Sequence, residues 1–265
     1  MVLGYDEPRP TKGNYKDFLD KLVGRLRSDR LNGLSLMVYG SYVRNDFVPG
    51  RSDIDAVLTF PYDVVIPKGL MSLISTCIHY SLDGNNVPFQ VCPIDTTTMR
   101  DGRFNPFTED FHNYFQTEGR VLVGPDYRKE MVCLKTKTGE ENTLSHNLRK
   151  ARMALLFVEH DRQDGEQGYR KLLERFNSTL NTASRGSKQI LYLVDGRLRK
   201  NRFSALAELG HIFPEVDTEP LERIKHLYTH LDELDTLYGN PKEMMRVMND
   251  SVTFFESVIK AYIDR

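Results

Sequence analysis

The sequence predicts an α+β protein: a small α/β domain over residues 1–130, followed by an all-helical domain over 131–265. Three observations carry this. Short β-favouring runs alternate with helical periodicity as far as Val121-Leu122-Val123. From Glu140 onward the periodicity is helical throughout. Between 126 and 142 the segment Lys135-Thr136-Lys137-Thr138-Gly139 reads as a linker or hairpin. A chain of 265 residues is long enough for two modest cores.

Taken in order, Tyr15, Phe18, Leu19, Leu22, Val23 and Leu26 recur at helical spacing, so 15–30 reads as an amphipathic helix ending before Asn32-Gly33. Leu34–Tyr39 reads as a buried strand, followed by the Gly40-Ser41 turn and a short helix. Asp53–Phe60 reads as a second strand, Leu70–Leu82 as a helix, and Asp83-Gly84-Asn85-Asn86 as a turn into a strand over Val87–Ile94. Phe107–Gln116 reads as helical and Val121–Val123 as a short edge strand before Gly124-Pro125. The second half favours helix at 140–161, 169–182, 186–194, 204–209, 219–237 and 241–263. Proline at the first helical position after Asn240 marks the last of these starts. Its stripe of Met244, Val247, Met248, Val252, Phe255, Val258, Ile259 and Tyr262 is core.

The stretch Gly40-Ser41-Tyr42-Val43-Arg44-Asn45-Asp46, followed by Ser52-Asp53-Ile54-Asp55, points to chemistry. Side chains two apart on a strand share a face, so Asp53 and Asp55 project together. Two close carboxylates repel unless a cation sits between them, and a hard divalent ion such as Mg²⁺ suits oxygen ligands. Ser41 opens a strand-to-helix turn whose backbone N–H groups favour a phosphate. Metal plus anion cradle implies phosphoryl or nucleotidyl transfer.

The Gly-Ser turn, spacer and Asp-X-Asp strand resemble the signature of the polymerase-β-like nucleotidyltransferase superfamily. Within it, the order of elements is similar to the aminoglycoside nucleotidyltransferases (adenylyltransferases). The resemblance implies a small nucleotidyltransferase α/β domain with a mixed sheet, a helical domain behind it, and ATP-binding in a Mg²⁺-dependent transferase. It implies transfer of AMP or another nucleoside monophosphate from a nucleoside triphosphate to a hydroxyl of a small-molecule acceptor, an aminoglycoside-like one for example, with release of pyrophosphate. Asp53 and Asp55 would hold the metal; Gly40 and Ser41 would bind the phosphates, with Arg44 either adding a contact or lying on the surface. The family's third carboxylate is replaced by Gln90. Gln90 as a neutral ligand, Asp95 swinging in from past Pro93, and a silent regulatory or antitoxin-like protein are the competing explanations. Glu109 and Asp110 are candidates for the base, or else plain helix-start charges. Lys188, Lys200 and Arg202, from a basic cluster around Asp195-Gly196, are candidates for the triphosphate, or else an ordinary basic surface.

A formal net charge of −1 argues against a general nucleic-acid binder, although transfer to a protein or RNA acceptor stays an alternative. Acids outnumber bases beyond residue 210, which suits a cationic acceptor or a solvated helix face. Three scattered cysteines, Cys77, Cys92 and Cys133, suit a reducing compartment. With no signal peptide and no apolar run of membrane-spanning length, the expected location is cytoplasmic. His226 and His230, four apart on a helix, lack a third metal ligand in any known motif.

Overall fold

The computed structural model describes residues 8–28, 31–103, 109–133 and 137–265. The chain divides into two compact units, Asp6–Lys135 and Thr136–Arg265. In the first, helix α1 (Lys12–Ser28) precedes a four-stranded sheet of order β3-β2-β1-β4. The strands are β1 (Ser35–Tyr39), β2 (Ile54–Phe60), β3 (Phe89–Asp95) and β4 (Arg120–Val123). β1 runs antiparallel to β2 and to β4, while β2 and β3 are parallel, so the sheet is mixed. A parallel pair needs a crossover, and α3 (Lys68–Leu82) supplies it. β3 is an edge strand, the place where Pro93 costs no ladder hydrogen bond.

The two faces of the sheet are covered differently. Leu36, Val38, Ile54, Ala56 and Leu58 pack against Phe18, Leu22 and Leu26 of α1 and Ile74 and Cys77 of α3. On the opposite face Met37, Val57 and Ile94 meet Met99, Phe115 and Met131, brought by α4 (Thr96–Asp101), α5 (Glu109–Glu118) and the segment after a 3₁₀ turn at Arg128–Glu130. β2 alternates accordingly: Ile54 and Ala56 are buried, whereas Asp53 and Asp55 lie half-exposed on the α5 face.

The second unit is helical: α6 (Lys137–Gln163), α7 (Gly165–Asp195), α8 (Arg202–Leu206), α9 (Leu209–Ile212), α10 (Glu219–Thr229), α11 (Leu231–Tyr238) and α12 (Pro241–Ile263). The stripe of α12 is core as expected, with Met244, Met248, Phe255 and Val258 fully buried. Asn240 caps that helix, its side-chain oxygen accepting from the Glu243 N–H at 3.2 Å.

Several expectations change here: from Lys137 on, the segment read as a linker or hairpin belongs to α6, and the helix expected at 204–209 is divided between α8 and α9. The helices expected at 169–182 and 186–194 are one 31-residue helix, α7. Gly186 lies inside it at a position where the ring of Phe255 fills the space a β-carbon would need, so only glycine fits. Ser184 and Ser187 turn their hydroxyls back onto the Leu180 and Ala183 carbonyls and stay inside the helix. Conversely, the single helix expected at 219–237 is interrupted at His230, where φ is −109° and ψ 84°. There the Thr229 hydroxyl (3.1 Å) and the His230 Nδ1 (3.0 Å) both reach the His226 carbonyl and compete with the backbone for it.

Candidate active site

Gly40 stands at the centre of the site. It leaves β1 with φ 79° and ψ −153°, a conformation nearly restricted to glycine. A second constraint coincides with the first: a β-carbon here would lie 2.7 Å from Asp55 Oδ2. The backbone thus passes directly beside the carboxylate, and Ser41 follows as the first residue of α2 (Ser41–Arg44). α2 is a single turn, so its dipole is small, and any anion there depends on side chains as much as on the helix.

The sheet register assembles the rest. Tyr39 pairs with Asp55 across β1 and β2, and Asp55 pairs with Gln90 across β2 and β3. In-register residues on adjacent strands share a face, so Asp55 and the exposed Gln90 are neighbours, with Asp53 on the same face. Tyr39 is held by aromatic packing, edge-on to Phe111 at 4.8 Å. The loop that delivers Asp53 is clamped from below. The Tyr15 hydroxyl donates to the Ser52 carbonyl (2.6 Å) and accepts from the Gly50 N–H (3.1 Å), and Ser52 Oγ accepts from the Val48 N–H (2.9 Å). Tyr15 is 0% exposed.

Asp95 is a correction. It pairs with Phe60 at the far end of the β2–β3 ladder, about 16 Å along the strand from Gln90. It caps α4, accepting from the Thr98 N–H (2.8 Å) and hydroxyl (2.6 Å). A swing toward Asp55 would uncap that helix and cross the length of the strand. Cys92, next after Gln90 on the same face of β3, is partly buried, and burial pushes its thiol up, away from nucleophilic use.

Glu109 is the first residue of α5, two before the Phe111 that packs on Tyr39, so it belongs to the helix covering the face of Asp55. The side chain of Asp110 lies outside the described residues. At the other end of α5 stands a group the motif reading did not single out. Glu118 Oε1 accepts from the Gly40 N–H at 3.3 Å and from Arg44 Nη1 at 2.7 Å. Arg44 Nε also reaches Asp46 at 3.3 Å. The phosphate-facing amide and arginine expected from the sequence therefore meet a carboxylate of the chain itself. No local motif announces Glu118; β1–β4 pairing, which sets Val38 opposite Arg120, brings it beside Gly40.

Lys188, Lys200 and Arg202 belong to the helical unit. Lys188 is half-buried on α7 and Lys200 is exposed. Arg202 donates to Asn181, Ser184 and Tyr228, each at 3.1 Å, and lies over the Tyr228 ring. Their basic neighbours are largely neutralised: Arg199 forks onto Asp195 (3.0 and 2.7 Å) and reaches Glu208 (2.9 Å). Arg199, and then Arg197, hold the Asp195 carboxyl well below the usual carboxylate range. His226 and His230 stack at 3.9 Å, with His226 Nε2 2.7 Å from Glu233, and among the described residues no cluster of three or more metal-ligating side chains forms. Nor is any described helix long and apolar enough to cross a membrane.

The comparisons agree with this geometry. Residues 19–87, which take in the later part of α1, the Gly40 turn, both aspartates and α3, match the family model of the nucleotidyltransferase domain. Among solved structures, the fold is similar to the spectinomycin adenyltransferase AAD(9) from Enterococcus faecialis, crystallised with ATP and spectinomycin. The TM-score is 0.52 at 12% sequence identity, over 91% of this chain and 99% of that one. At that identity the likeness speaks to the fold, and it includes the helical half. No curated protein sequence matches significantly. The chain carries a nucleotidyltransferase domain at residues 19–87, which makes it a nucleotidyltransferase, and its fold is similar to that of a spectinomycin adenyltransferase.

Proposed function

We propose that this nucleotidyltransferase moves AMP from ATP onto a hydroxyl of a cationic small molecule of the aminoglycoside kind and releases pyrophosphate. The observation that carries the reading is Asp55 Oδ2 pressed against the Gly40 turn, with Asp53 on the same strand face. The donor set fits Mg²⁺: two carboxylates, with the Gln90 amide oxygen beside them, leave positions for substrate oxygens, as Mg²⁺ sites of this kind do. When bound, the ion supplies charge neutralisation at the reacting phosphate. The chain's own residues do the rest. Asp53 and Asp55 hold the ion, Ser41 donates its hydroxyl to the phosphates, and Arg44 gives them a charge-assisted contact. The Tyr15 clamp keeps Asp53 in place. With Gln90 unable to accept a proton, the acceptor hydroxyl is deprotonated by Glu109 of α5. Arg202 of the helical unit already makes three hydrogen bonds within that unit.

AAD(9) was solved with ATP and an aminocyclitol, which supports both the donor and the acceptor class. The test is pyrophosphate release from ATP and from GTP with Mg²⁺ across an aminoglycoside panel. Release that depends on one acceptor, on ATP and on Mg²⁺ is the expected result. Release that is acceptor-independent, or seen only with a protein or RNA, would reject the small-molecule reading.

A further inference from the structure

Three carboxylate–arginine pairs in this molecule invite comparison. Asp126 takes Arg128 through both oxygens (2.9 and 2.6 Å), and Asp195 takes Arg199 the same way (3.0 and 2.7 Å). Glu118 does not. Its Oε1 alone serves both Arg44 and the Gly40 N–H, while its Oε2 is buried without a hydrogen-bond partner among the described residues. The side chain is only 7% exposed. A carboxylate has room for about four donors, and a buried oxygen left bare is costly. As a permanent brace for the turn, this is the weaker of the geometries available to a glutamate and an arginine.

The place matters as much as the geometry. Gly40 is flanked by Asp55 from β2 and by Glu118 from the opposite side, at the β4 edge. Among the described residues no three acidic groups converge on one point, so Glu118 does not complete a metal site. Instead it occupies the two donors, the Gly40 amide and the Arg44 guanidinium, that a phosphate would use. Arg44 keeps 21% of its side chain exposed, so an incoming anion can reach it.

We infer that Glu118 is an internal competitor of the triphosphate: it holds Arg44 in the nucleotide-free chain and cedes it to a phosphate on binding, which sets nucleotide affinity below what the site could otherwise reach. The inference rests on the nucleotide reading above. No bond is made or broken; Arg44 exchanges a one-oxygen carboxylate contact for a forked phosphate contact. Removing the glutamate's charge while keeping an acceptor oxygen should therefore tighten binding rather than weaken it.

The experiment is calorimetric titration of the full chain with the α,β-methylene analogue of ATP and Mg²⁺. Glu118→Gln is expected to lower Kd about tenfold, because a neutral amide holds the Arg44 guanidinium less strongly than a carboxylate does and cedes it to the phosphate more readily. In an Arg44→Ala background the same substitution should change Kd by less than about twofold, because the exchanged group is gone. An unchanged or higher Kd for Glu118→Gln, with normal binding by the wild type, overturns the inference while leaving the nucleotide reading intact. A wild type that fails to bind the analogue at all overturns both. A second readout needs no variant: the Arg44 Nε–Hε resonance of the wild type should move on saturation with the analogue, and a stationary resonance counts against the exchange.

Discussion

The two units treat their charged groups in opposite ways. In the helical unit, Asp195, Arg197, Arg199 and Glu208 form one network of ion pairs, in which the buried Arg199 forks onto a carboxylate at the end of α7. In the sheet unit, the charged groups around Gly40 are arranged differently. Glu118 serves Arg44 and the Gly40 amide through one oxygen, Asp55 crowds a backbone that only glycine could supply, and Asp53 and Asp55 share one face. Burial or crowding of charge is costly unless a partner compensates it. A cross-linked network of ion pairs braces the fold, whereas two carboxylates sharing one face beside a turn that needs glycine suit a ligand. That contrast separates the basic cluster at residues 195–202, which looked nucleotide-binding by composition, from the Gly40 turn.

The sharpest way to break the contrast is at Asp55. Asp55→Ala should lower pyrophosphate release by about a thousandfold or more, since it removes charge stabilisation at the reacting phosphate, while thermal unfolding barely moves. Normal turnover in that variant would end the metal reading. Gly40→Ala comes next, and it should cost both functions together. The left-handed backbone and the crowded Asp55 predict about 1–3 kcal/mol of lost stability, with transfer reduced about a hundredfold by displacement of the carboxylate. A variant with wild-type unfolding and turnover would mean that the turn does not hold Asp55 in position.

In the helical unit, Arg199→Ala should destabilise by about 1–3 kcal/mol, discounted because Asp195 and Glu208 keep some solvent, with little effect on ATP-analogue affinity. The pH dependence follows from Asp195, whose carboxyl Arg199 depresses in the folded chain. In the unfolded chain it titrates near the ordinary value of about 3.9. Below that pH the unfolded state binds the proton first, so this contribution, fully present at neutral pH, fades as pH falls toward the lowered native value. Arg199→Ala should flatten the acid limb of a denaturation series, and an unaltered limb would show that the pair contributes nothing. The smallest effect is expected at Tyr15→Phe: about 1 kcal/mol from two lost hydrogen bonds, with a several-fold fall in transfer as the Asp53 loop loosens. Equal turnover in the two proteins would reduce Tyr15 to core packing.

How legible was this in the chain itself? Local periodicity set out β1, β2, α3, β3 and the stripe of α12 to within a few residues, because each buries a face whose spacing is written in consecutive residues. It left a gap at 183–185 where α7 runs on, because the packing that carries the helix through, the Phe255 ring against Gly186 included, comes from a distant helix. Tyr15 carried a faint signal: a tyrosine in a stripe of leucine and phenylalanine needs somewhere for its hydroxyl to go. Asp95 looked close to Gln90 by number, yet a strand carries five residues about 16 Å, and the helix start beyond claims the carboxylate.

Residue identity and spacing alone determined the sheet unit, the helical half, the Gly40-Ser41 turn and the Asp53–Asp55 pair, because these depend on neighbours within about a dozen positions. Tertiary structure decided which charges meet. That outcome depends on strand order and register, which bring Glu118 to Gly40 across 78 positions and carry Asp95 away from it, and no local pattern encodes a contact between segments so far apart.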